Sequence, residues 1–177
     1  MPTRRQVIKW TFWGAAAVAL VRLLHGPFKS APQIPEDPDY DYYFLTGRDR
    51  TLIAAISPAM LAGALPKGRE ERKLAVLEIV RGVDLTIAGL APSVQEELRD
   101  LFYLMDFPVI RRFLSGVWKP WLRAEEHEID RFLLNWQRSR LSLLRSAYQG
   151  FHEIIMASWY GNQRSWNGIG YDGPPAL

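Results

Sequence analysis

Residues 124–160, AEEHEIDRFLLNWQRSRLSLLRSAYQGFHEIIMASWY, carry the longest helical pattern in the chain and decide its class. Ile129, Phe132, Leu133, Trp136, Leu143, Leu144, Ala147, Phe151, Ile154 and Ile155 keep close to one stripe, the signature of an amphipathic helix. Gly150 is placed to kink this helix and Gly161 to end it as the C′ residue. The upstream patterns are helical too. Thr46, followed by Asp49, caps a helix carrying Leu52, Ile53, Ile56 and Met60, and Gly63 and residues 66–68 close it. Residues 69–89 open with acids and are apolar enough to be largely buried, and Gly89 and Pro92 end them. Ser93 and Glu96 form a capping-box pattern ahead of Leu98, Leu101, Phe102 and Met105; Asp106 and Pro108 then begin a short helix through Leu114. No hairpin or alternating strand run of any length interrupts these patterns. The expected fold is an all-α bundle of about five helices, one domain's worth of chain at 177 residues.

The formal charge of +3 suggests nucleic acid until its distribution is read. Arg4, Arg5, Lys9, Arg22 and Lys29 precede every acidic residue, and the rest of the chain is slightly acidic. The basicity belongs to a leader, which removes the main support for a nucleic-acid partner. In that leader a charged stretch ending at Lys9 precedes an apolar run, residues 10–24, broken only by Arg22. Its length suits an export signal better than a spanning helix, which needs about 20 residues. Residues 3–9, TRRQVIK, resemble the twin-arginine (Tat) motif, with Arg4, Arg5 and Lys9 in the diagnostic places. Small residues at 30–31 favour removal of the leader in the periplasm. A retained leader would serve as a membrane anchor, although Arg22 at mid-depth would cost about 2.5–3.5 kcal/mol. The expected divisions are a signal segment (1–31), a Pro- and acid-rich linker (32–45), the bundle (46–160) and a glycine- and aromatic-rich irregular tail (161–177). Residues 32–43 read as a solvated linker or as an arm lying on a partner.

Candidate chemistry is sparse. The chain has no cysteine, which excludes disulfides, iron–sulfur clusters and thiolate zinc. Residues 168–173 spell G-x-G-x-x-G, but Pro174 and Pro175 follow where a phosphate-binding helix would have to begin. His127 lacks a second histidine at zinc-ligand spacing, and His152 has no nucleophile at recognisable spacing. Glu70-Glu71 and Glu96-Glu97 suit first helical turns, where they complement the dipole. Arg131, Arg138, Arg140 and Arg145 read equally as a partner contact or a solvated face. No catalytic, metal-binding or cofactor-binding residue is assigned.

The end of the chain differs from the rest. Trp159, Tyr160, Asn162, Trp166 and Tyr171 stand among Gly161, Gly168, Gly170, Gly173 and Pro174. Compact aromatic anchors on a glycine-rich segment suit either the protein's own bundle or a partner surface. From Tyr160 to Pro174 this segment resembles the closing Y-G-G-N … G-W … I-G-[YF]-P-G signature of the gluconate 2-dehydrogenase subunit 3 family. The match lacks one glycine, places Trp166 two positions ahead of its glycine and has Asp172 where the family has proline. The likeness extends to the leader, to RRFLSGVWKPW (residues 111–121) and to residues 132–175, about half the chain. More broadly, the chain is similar to the leader-bearing small proteins that accompany GMC-type flavoprotein dehydrogenases.

That resemblance implies a non-catalytic small subunit without a cofactor. The FAD would lie in a large dehydrogenase subunit, and a cytochrome subunit or another acceptor would take the electrons. The small chain would engage the Tat translocase, carry the prefolded large subunit across the membrane and aid its maturation or stability. Residues 159–174 would then dock on that partner. A stand-alone periplasmic or membrane-anchored protein, either an enzyme or a helical bundle binding a small ligand, is the alternative.

Overall fold

The computed structural model describes residues 37–170 and Asp172, all within the larger of two compact units, Pro32–Leu177. The segment before Asp37, with Arg4, Arg5 and Lys9, lies outside the described residues, as do Tyr171 and residues 173–177, including Gly173 and Pro174.

The described chain is all-α, with no strand among the described residues. Thr46 and Asp49 form the expected capping box at the start of α1 (Gly47–Met60): Asp49 accepts from the Thr46 N–H at 2.8 Å, and Thr46 Oγ1 accepts from the Asp49 N–H. Gly63, at φ +83°, turns the chain after α1 in a backbone conformation few other residues adopt. α2 (Arg69–Ala88) follows, with Glu70 and Glu71 in its first turn. α3 (Pro92–Asp106), α4 (Pro108–Ser115) and a 3₁₀ turn (Trp121–Arg123) lead to α5 (Glu126–Gln137) and α6 (Ser142–Tyr160). A short α7 (Gln163–Ile169) comes last.

One core is shared by α1, α2, α3, α5 and α6. Ile56, Ile79, Val83, Met105, Phe132 and Ile155 have no exposed surface. Two runs of aromatic rings cross this core: Phe44–Phe102–Phe151, with centroids 6.3 and 5.6 Å apart, and Trp121–Phe132–Trp136, at 5.8 and 4.8 Å. Such tilted and edge-on pairs are attractive beyond their area. α2 and α6 make the most extensive helix pair. Gly82 lets them approach, since a Cβ there would stand 2.9 Å from Ser158 Cβ.

Several expectations are corrected. The pattern over 124–160 is two helices, because residues 138–141 leave the helical path. Ser139 Oγ accepts from the Leu141 N–H at 3.1 Å, and the Ser139 carbonyl accepts from Arg145 at 2.7 Å. A serine that hydrogen-bonds nearby backbone offers the chain an alternative to helix. Gly161 caps α6 at φ −73°, not in the left-handed conformation of a C′ glycine. α3 begins on Pro92, which suits a first helical position, so the Ser93–Glu96 capping box does not form. Glu96 and Glu97 consequently fall beyond its first turn. Gln95 instead ties α3 back to α2 through the Ala88 and Leu90 carbonyls.

Residues 37–45 are not a solvated linker. Asp84 on α2 is fully buried and accepts from the backbone N–H groups of Tyr43, Phe44 and Leu45 at 2.9, 2.8 and 2.7 Å. Tyr40 donates to the same carboxylate at 3.2 Å. Arg81 forks onto Asp37 with two bonds of 2.8 and 2.7 Å, and Arg99 donates to the Phe44 carbonyl. The segment belongs to the folded body and fixes the entry to α1.

Candidate functional site

The residues singled out at the C-terminus do not form one surface. Trp159 is a core residue, 2% exposed, so its expected docking role is withdrawn. Tyr160 ends α6 and keeps 39% of its surface in solvent. Asn162 caps α7, with Oδ1 accepting from the Arg164 N–H at 2.8 Å. Its Nδ2 donates to Glu78 on α2 at 3.0 Å, and Arg164 forks onto the same carboxylate at 2.9 and 2.8 Å. That fork holds the Glu78 carboxyl below the usual carboxylate range, against the opposing effect of burial. Trp166 donates from Nε1 to the Tyr160 carbonyl at 3.0 Å. Gly168 lies inside α7, and Gly170 ends it at φ +67°. Residues 163–169 are therefore helical, which corrects the expectation of an irregular tail from residue 161. Of the two destinations left open for the tail, its described part takes the chain's own bundle.

A different element presents apolar surface. α4 buries Arg111 and Ser115 on one side, where Ser115 Oγ donates to the Arg111 carbonyl and accepts from the Val117 N–H. Trp136 of α5 donates to the Leu114 carbonyl at 2.7 Å and pins the end of α4. Gly116, at φ +72°, then reverses the chain. Burial pushes the Arg111 guanidinium pKa down, partly offset by Asp106. With that side fixed, Val109 and Phe113, one turn apart, face solvent at 52% and 83% exposure. Trp118 follows at 63%, with the Arg112 guanidinium 3.4 Å from its ring centroid. Arg112 lies over the indole as a cation–π partner and leaves an amphipathic surface of the kind enriched at interfaces. The sequence predicts the short helix here and carries, through residues 111–121, part of a resemblance, but does not show which face of that helix is exposed. The available signal was an α4 with apolar residues on both faces, too short to be buried all round.

The remaining candidates are dispersed. His127 is exposed, 3.4 Å from Glu125, and His152 stacks on Tyr148. Arg131, Arg138, Arg140 and Arg145 are all exposed. Among the described residues no group of three or more His, Asp or Glu side chains is placed to hold a metal ion, and no helix is long and apolar enough to cross a membrane. The chain matches no protein-family model, no curated protein and no solved structure.

Proposed function

We propose that the chain is the non-catalytic small subunit of a periplasmic FAD-dependent dehydrogenase of the GMC type. Its leader supplies the Tat signal for co-export, and its body aids maturation and stability of the large subunit that holds the FAD. The observation that carries this reading is the conjunction of a twin-arginine leader at residues 3–9 with the aromatic–glycine signature at residues 160–174 of one chain. The surface of α4 supports it: Phe113 is 83% exposed beside Val109, and large apolar groups left together on a surface mark a contact site. On this reading Val109, Phe113 and Trp118 dock on the large subunit, with Tyr160 and the residues beyond Gly170 as a second contact.

The test is copurification. The tagged chain, recovered from the periplasm of its native host, should bring a larger band with flavin absorption in near-equal amount. The Phe113→Ala/Trp118→Ala variant should lose most of that band while keeping its helical circular dichroism. Removing two anchors worth about 2 kcal/mol each lowers affinity by roughly a thousandfold. A colourless, solitary chain from the native host would overturn the proposal.

A further inference from the structure

Residues 37–42, α1 and the first half of α2 enclose a groove of about 780 Å³, within the usual 300–1,000 Å³ range of small-molecule sites. Its floor is apolar, built from Ala54 on α1 and from Val76, Leu77 and Val80 on α2. Its walls are cationic from both helices: Arg50 from α1, with Arg69, Arg72 and Lys73 from α2. Lys73 is paired with Glu70; of the two acids in the lining, Asp37 is taken by Arg81 and Asp39 is exposed, so the four cations outnumber them. Among the described residues no carboxylate lies within ion-pairing distance of Arg50, Arg69 or Arg72. The Arg50 Nε is buried without a hydrogen-bond partner, its guanidinium lying 4.4 Å from the Tyr42 ring centroid. A buried N–H of a charged group is costly to leave unpaired, and Arg50 itself lines the groove.

From this arrangement we infer that the groove is a binding site for a single-chain amphipathic carboxylate. The alkyl body lies on the Ala54, Val76, Leu77 and Val80 floor, and the carboxylate is held by the guanidiniums of Arg50 and Arg72. From Arg72 to Val80 the stripe of α2 runs about 12 Å, room for most of a dodecyl chain laid along it. Two other occupants fit worse. A cationic amphiphile would meet like charge on these walls. A peptide would bring backbone N–H and C=O groups over an apolar floor that offers them no partner. The site does not use the α4 surface and stands whether or not the chain serves a dehydrogenase.

The full chain is titrated calorimetrically with dodecanoate and, separately, with dodecyltrimethylammonium, both below their micelle concentrations. Dodecanoate should bind at one site, and the cation of equal chain length should bind at least about tenfold more weakly. The Arg50→Gln/Arg72→Gln variant should lose about tenfold or more in dodecanoate affinity with unchanged helical circular dichroism. Should that variant unfold, the contrast between the two amphiphiles on the unaltered chain decides alone. Equal binding of both amphiphiles, no binding of dodecanoate, or undiminished dodecanoate binding by the folded variant would overturn the inference. So would sedimentation with phosphatidylglycerol vesicles by a chain that ignores free dodecanoate, because the source would then be a bilayer headgroup.

Discussion

Asp84 is the side chain on which the entry to the bundle depends. Three consecutive backbone N–H groups converge on it, and burial makes those donors expensive to leave unmade. Tyr40 adds a fourth bond and stays protonated, since burial and the Asp84 charge push its pKa up to about 12. Asp84→Ala should therefore cost at least about 3 kcal/mol in urea unfolding, and Asp84→Asn, which keeps an acceptor oxygen, clearly less. Glu78 offers a test by pH. Its folded-state pKa is lowered, so the stability it contributes is fully present above its ordinary value of 4.5 and is lost as pH falls through the folded value. Acidification from pH 7 through that window should release the Arg164 fork first. Deuterium exchange at residues 163–169 should rise while the α2 amides stay protected, and Glu78→Gln should show the faster exchange already at neutral pH.

Helix contacts explain why two glycines in helices respond oppositely to the same change. Gly150 has nothing within 4 Å of where a Cβ would stand, so Gly150→Ala should stabilise α6 by about 0.5–1 kcal/mol. Gly82 meets Ser158 Cβ at 2.9 Å, and Gly82→Ala should cost about 1–3 kcal/mol by forcing α2 from α6. Ser158→Gly should recover part of that loss, whereas Ser158→Ala should not, because the clash is with Cβ; a double-mutant cycle by thermal unfolding reads the coupling. These contacts also separate what the sequence discloses from what it hides. The α1 capping box and the apolar stripes of α2 and α3 are local, and they were legible. The break at residues 138–141 was not, because Trp136 and Leu143 stand one heptad apart and keep the stripe in phase across it. Asp84, alone among Val80, Val83 and Ile87, signals a buried acid, but its partners lie about forty positions away and no local pattern names them. Phe113 was hidden for the opposite reason: its exposure is known only once Arg111 and Ser115 are seen to take the buried side of α4.

The whole chain divides its labour by charge and by core. The body holds one continuous core and a slightly acidic balance, while Arg4, Arg5 and Lys9 lie in the basic N-terminal segment that reads as a leader. On the proposed reading that leader is recognised by a pathway that accepts folded cargo, so the body must fold and grip its partner before translocation. Recognition of a twin arginine depends on the guanidinium fork, which lysine does not reproduce although it keeps the charge. Arg4→Lys/Arg5→Lys should therefore leave the thermal unfolding of the body unchanged. Fractionation should find both this chain and the large subunit retained in the cytoplasm, still bound to each other. Combining the leader change with Phe113→Ala/Trp118→Ala should leave both chains in the cytoplasm but apart. Phe113→Ala/Trp118→Ala alone should export this chain without its partner. Periplasmic arrival of the large subunit in that last strain would show that it travels independently, and co-export would then be abandoned even if the two proteins meet afterwards.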